Sequence, residues 1–240
     1  MKPPGPCSAP GFSPQGSFAR VPARRVQDEI REQFRRWGLP GTLRVDNGVP
    51  WGNWNDLPTV LALWLYGLGV RLHWNDPCHP EQNPQVERSQ GTGSRWAEPE
   101  QSQSVSELQQ RFDKEDRVQR ELYPAIRGLQ SRWEAFPGLR HSGRPYSRKG
   151  ERASWDLGRA VAHLAEYQAV RKVSTSGHVR VYAANYYVGQ SHAGQWVYVQ
   201  LDPDTLVWVI ADAEGRQLRT HPAWQITRQR IMALNLRDKS

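Results

Sequence analysis

Two carboxylates and their neighbours carry the chemistry that can be read in this chain. Asp46 closes a short run that alternates polar and apolar, Thr42-Leu-Arg-Val, and is followed at once by Asn47-Gly48. Glu87 lies 41 positions later, in Asn83-Pro84-Gln85-Val86-Glu87-Arg88. The first run reads as a short strand ended by a turn, and the second as the opening of a helix. A strand-end Asp and a helix-start Glu can converge at one edge of an α/β sheet, where ligands bind. Two carboxylates held together repel unless a hard divalent cation takes the charge, and such an ion can activate water for attack on a phosphodiester. The same residues allow a plainer account: Asp46 as a turn former in Asp-Asn-Gly, and Glu87 on an exposed helix face. Spacing leaves both open.

The elements that must position this pair alternate. Val26, Ile30, Phe34 and Trp37 repeat at helical spacing and are stopped by Gly38 and Pro40. The strand ending at Asp46 follows. A second helix, with Asp56 as its expected cap and an apolar body from Val60 to Leu68, leads into an alternating strand, Val70 to Trp74. Helix, strand, helix, strand, helix in this rhythm predicts an α/β layer over residues 21–100, after a Pro-, Gly- and Ser-rich leader at 1–20 that reads as disordered. Residues 101–167 are polar with spaced apolar anchors (Leu108, Phe112, Val118, Leu122) and predict solvated helices, with a further short helix between Trp155 and Tyr167. From 168 to 235 the period becomes two. Five strands at 169–174, 178–189, 195–202, 206–212 and 216–222, divided by short Gly- and Pro-containing turns, predict a small β-barrel.

The chain has 32 Lys and Arg against 24 Asp and Glu, for a net charge of +8. Residues 101–240 hold 21 basic and 14 acidic side chains, so +7 of that surplus lies there. A basic half is the footprint of a polyanion partner, and Arg171, Lys172, Arg180, Arg216 and Arg219 are the candidates for a phosphate-binding face. In sequence they look no different from solvated charges. Only Cys7 and Cys78 are present, too few for a disulfide framework, as expected of a cytoplasmic protein. Cys78-His79 has no second pair at ligand spacing, which speaks against zinc. No apolar run approaches the ~18 residues a membrane helix needs, so no membrane partner is expected.

Asp46-Asn47-Gly48 after a strand, followed by His79-Pro80-Glu81-Gln82-Asn83-Pro84-Gln85-Val86-Glu87-Arg88 opening a helix, resembles the retroviral-integrase-like DDE core of bacterial insertion-sequence transposases. The match spans residues 22–97. The tail from Gln168, with Tyr186-Tyr187-Val188-Gly189 and Gly194-Gln195-Trp196-Val197, resembles the SH3-like DNA-binding barrel that follows the core in many relatives. The resemblance implies an RNase H-like core, DNA as partner, and Asp46 and Glu87 as two of three ligands for Mg²⁺ or Mn²⁺. It also implies that Asn47 borders the DNA and that Arg88 touches a phosphate; each is equally readable as a turn residue and a helix-surface charge.

Three departures qualify the likeness. Pro84 stands where the family has Gly, and the Asp-to-Glu interval is a few residues longer than the family's. The family's first Asp is missing, since residues 1–21 hold no carboxylate and Asp28 falls on the first helix. The resemblance therefore implies an N-terminally truncated relative with an incomplete RNase H-like sheet, inactive alone in strand transfer. Two other classes stand beside it. One is a non-catalytic DNA-binding or regulatory module acting on transposition, by contact with a full-length transposase or in a homo-oligomer. The other is an unrelated RNase H-type, Mg²⁺-dependent nuclease.

Overall fold

The structure, a computed structural model, describes residues 21–45, 48–52, 56–75, 91–93, 95–124, 131–137 and 140–236. Helix α1, Ala23–Trp37, begins after Pro22 and ends at Gly38. Gly38 has φ 77°, its N–H donates to Phe34 O at 2.8 Å, and a Cβ there would lie 2.4 Å from Ser142 Oγ. Both the dihedral and the contact demand glycine. Val26, Ile30 and Phe34 pack on the core as their spacing predicts, but Gln27 and Arg31 are buried beside them.

Strand β1 (Thr42–Val45) and strand β2 (Arg71–Trp74) pair in parallel, in the register Thr42↔Arg71 to Val45↔Trp74. Helix α2, Val60–Gly67, is the crossover between them. Its residues Leu61 to Leu65 are all buried, as expected of a helix that is apolar all round. The expected cap, Asp56, is not the cap. Thr59 stands in extended backbone just before the first helical residue, and its hydroxyl accepts from Ala62 N at 3.2 Å. Thr59→Ala should therefore cost about 1 kcal/mol in urea unfolding, whereas Asp56→Ala should not act through the helix end.

Helix α3 (Val105–Arg117), a π-helical turn (Val118–Leu122) and helix α4 (Arg132–Ala135) form the solvated connector, and no residue of α3 or α4 is buried. A ladder of guanidinium groups and indoles ties this connector to α1. Arg36 and Arg120 lie 4.8 and 4.6 Å from the Trp37 ring, and Arg120 and Arg140 lie 5.6 and 5.2 Å from Trp133.

After helix α5 (Glu151–Ser154) and helix α6 (Leu157–Ala165), the chain turns to strands. These are β3 (Gln168–Lys172), β4 (His178–Val181), β5 (Ala184–Tyr187), β6 (Trp196–Asp202), β7 (Val207–Ala211) and β8 (Gln217–Pro222). Helix α7, Arg228–Met232, follows. Four of the strands form an open antiparallel sheet in the order β3-β6-β7-β8, and β4-β5 form a separate hairpin. The expected closed five-strand barrel is thus replaced, among the described residues, by six strands in two ladders. The strand expected at 178–189 is broken by the two-residue turn Tyr182-Ala183, with Tyr182 at φ 51°. The buried positions shift phase there, from Val179 and Val181 to Ala184 and Tyr186.

The architecture is mixed α/β with one continuous apolar core. Phe34, Trp64 and Leu65 share it with Trp155, Leu164, Val199 and Trp208, so the α/β layer and the C-terminal sheet are packed together.

Candidate nucleic-acid interface

The two parallel strands end side by side: Val45 O accepts from Asn75 N at 3.0 Å. The chain therefore leaves β1 and β2 at the same edge of the sheet. Asp46 and Asn47 come next after β1; Glu87, Arg88 and His79 come after β2; all five lie outside the described residues. Beyond Asn47 the backbone is anchored again. Trp51 N donates to Gly48 O at 2.9 Å, and Thr59 Oγ1 donates to Trp51 O at 3.1 Å. One hydroxyl thus caps α2 and fastens the segment that follows Gly48.

The five basic residues proposed for phosphate contact are not one patch. Arg171 pairs across the sheet with buried Val197, so it starts from the core-facing side. It leaves the sheet edge to form an ion pair with Asp56, and its Nε donates to Arg180 O at 2.9 Å. Lys172 pairs with Trp196 on the opposite, solvent face, where Trp196 is 60% exposed. Arg180 is exposed on the hairpin's outer face, opposite Asn185. Arg219 is exposed on β8, three strand spacings, or about 14 Å, from β3. Arg216 lies in the turn before β8 and is paired with Asp212 at 3.0 Å. Arg171 and Arg180 are brought together; the other three are dispersed. Among the described residues, Lys172, Arg180 and Arg219 have no side-chain partner.

The meeting place of Arg171 and Arg180 is an open cleft of about 310 Å³ lined by Asp56, Leu57, Arg171, Arg180 and Tyr182. It lies where the segment leading into α2 touches the β4-β5 hairpin. Tyr182 closes the seam by donating its hydroxyl to Pro58 O at 2.8 Å, and burial pushes that phenol up, which keeps it a donor.

Sequence reasoning missed the strongest electrostatic feature. Glu151 is 2% exposed and receives Arg31 Nε at 2.9 Å, Arg31 Nη2 at 2.7 Å and Trp64 Nε1 at 3.0 Å, besides the hydroxyl of Tyr146. Burial alone raises a carboxyl, but the hydrogen bonds from Arg31, Tyr146 and Trp64 outweigh it and hold Glu151 below its ordinary range. The partners are 120 residues apart, and the one local signal is a polar Arg31 inside an apolar helical stripe. A second buried titratable group, His163, stacks on Tyr66 with ring centroids 3.4 Å apart and planes 5° from parallel. Burial pulls its imidazole down against the pull of Glu166, so it is neutral near pH 7.

Among the described residues no three His, Cys, Asp or Glu side chains are gathered to hold a metal ion, and no helix is long and apolar enough to cross a membrane. No family model matches the chain.

Proposed function

We propose that this chain is a DNA-handling part of a DDE-type transposase or integrase, built as a partial RNase H-like core followed by an SH3-like unit. One observation carries the reading. In sequence the Asp46-Asn47-Gly48 segment directly continues β1 and the His79-to-Arg88 motif follows β2, and these two strands run parallel and end at one edge. Both segments therefore start from one edge of an α/β sheet, the kind of edge where ligands bind, and this supports the reading. A hard divalent cation suits this donor pair, with Asp46 and Glu87 as its ligands, and it supplies charge neutralisation at the attacking and leaving oxygens when bound. With two carboxylates of the family's three, the chain on its own binds DNA without transferring strands. The basic surplus of residues 101–240 supports the narrower alternative, a DNA-binding module that regulates a full-length transposase.

The test is duplex binding by fluorescence anisotropy across a salt series. Of the five candidate residues, Lys172, Arg180 and Arg219 are without a side-chain partner among the described residues; with these three as the contacts, about three phosphates are neutralised, giving a log–log slope near −2.7. Raising salt from about 50 to about 200 mM should then weaken binding about 40-fold. Charge reversal at Lys172 and Arg219 should weaken binding and flatten the slope. Asp46→Ala and Glu87→Ala should leave binding unchanged or slightly tighter. Incubation with Mg²⁺ or Mn²⁺ and transposon-end DNA should give no cleavage. Binding that ignores salt, or turnover abolished by Asp46→Asn, would overturn this assignment.

A further inference from the structure

The cleft at the seam between the α/β layer and the C-terminal hairpin has an internal competitor built into it. Arg171 and Arg180 supply two guanidinium groups within one open cavity, and among the described residues only Arg171 is engaged by a carboxylate. That carboxylate, Asp56, is 46% exposed and belongs to the segment entering α2, while the Arg171 side chain is 22% exposed. An ion pair this open to water adds little to stability, so exchanging its anion for another is nearly neutral. The guanidinium of Arg171 is meanwhile held in place by its Nε bond to Arg180 O, and so remains aimed into the cleft whichever anion it meets. Among the described residues Leu57 and Tyr182 form the remaining lining, and neither brings a second negative charge.

We propose that this cleft is a phosphate clamp: a phosphate displaces Asp56 from Arg171 and is gripped jointly by Arg171 and Arg180. Charge-assisted, two-pronged contacts from guanidinium groups suit phosphate oxygens better than a single carboxylate suits Arg171. Asp56 holds the clamp shut when no phosphate is present. Because Asp56 lies eight residues beyond Gly48 and leads into the crossover helix that follows β1, the occupied clamp would fix a nucleic-acid backbone beside the edge where β1 and β2 end. The duplex source of the phosphate rests on the DNA-binding reading above; the clamp itself does not.

The experiment therefore has two arms on the full chain. In the first, inorganic phosphate is titrated at constant ionic strength while thermal unfolding is followed. Phosphate should raise the midpoint of the wild type, raise that of Asp56→Asn more, and leave Arg180→Gln unmoved. In the second, labelled duplex binding is measured for the same proteins. Asp56→Asn should tighten binding about two- to fivefold, the range open to an exposed ion pair. Arg180→Gln should weaken it and make the log–log salt slope shallower by about 0.9, the loss of one phosphate contact. Asn at position 56 keeps an oxygen for the Leu57 N–H, and Arg180 is exposed, so neither variant disturbs folding. If phosphate stabilises the wild type and Arg180→Gln equally, and Asp56→Asn binds neither probe better, the clamp is refuted whatever the affinity for duplex. If phosphate acts as expected but duplex does not bind, the clamp stands and the DNA reading fails.

Discussion

Glu151→Ala should lower the unfolding free energy by about 3 kcal/mol, the low end for breaking a buried pair, because Arg31 keeps a second carboxylate, Asp28, at 3.2 Å. The carboxylate is the common acceptor for Arg31, Trp64 and Tyr146. Its removal leaves several donors without an acceptor, around an Arg31 only 8% exposed. The loss is a property of the broken network and not the net value of the pair. Replacing both Arg31 and Glu151 with Met should therefore recover much of it. Urea unfolding of the three proteins, followed by tryptophan fluorescence, measures both statements; a loss under about 1 kcal/mol for Glu151→Ala would show the site open to water. Acid titration adds a signature. Glu151 is depressed in the folded state, so its contribution is fully present above its ordinary value of 4.5 and fades as pH falls below it. His163 is also depressed, so its contribution begins to fade on the way down through 6.5. Glu151→Ala should flatten the lower limb and leave the upper one in place.

The same network marks how far the sequence could be read. The helical period over Val26, Ile30, Phe34 and Trp37 locates α1 and its core face, because burial of apolar side chains enforces that period. It says nothing of Arg31, whose partner is fixed by tertiary packing. Asp56 illustrates the converse. It has the right type and place for a cap, but Thr59 is nearer the first turn and Arg171 claims the carboxylate. In the C-terminal half the strands were legible because each alternates. Their neighbours were not, since a period of two reports which face is buried and not which strand lies alongside. The break inside 178–189 did leave a mark, the phase slip after Val181, outweighed there by the unbroken β-forming composition. Among the basic residues, charge was legible and pairing was not. Arg171 and Arg216 are tied to Asp56 and Asp212, whereas Lys172, Arg180 and Arg219 lack such partners among the described residues. The Asp46 and Glu87 assignment rests on residue types and their order alone, since both lie outside the described residues; the parallel pairing of β1 with β2 is the part of its setting that the fold supplies.

Gly67→Ala should be destabilising by about 3 kcal/mol, although alanine in a helix normally gains close to 1 kcal/mol over glycine. Gly67 is the last residue of α2, and the indole of Trp155 lies against its Cα. A Cβ there would stand 2.1 Å from Trp155 Cε2 and 2.2 Å from Nε1, so the ring must move. It has nowhere to go, being 1% exposed and bonded through Nε1–H to Trp64 O at 2.9 Å. The next residue, Asp156, donates its N–H to Gly67 O at 2.9 Å and caps α6 by accepting from Arg159 N at 3.3 Å. Expelling the indole therefore loosens the start of α6, the helix whose Ala165 carbonyl receives Gln200 of β6. In a chain of this size such a loss lowers the midpoint of thermal unfolding by roughly 6–12 °C. The sign separates this contact from ordinary helix propensity, and a double-mutant cycle isolates it. In a Trp155→Leu background, itself destabilised, adding Gly67→Ala should cost nothing or restore a few tenths of a kcal/mol, because the colliding ring is gone. The consequence reaches the proposed DNA surface, since α6 leads directly into β3 with Arg171 and Lys172. Gly67→Ala should thus weaken duplex binding in proportion to the fraction unfolded, and at low temperature, where the chain stays folded, it should leave the salt slope intact. A Gly67→Ala protein as stable as the wild type would mean that the indole of Trp155 does not seat on α2.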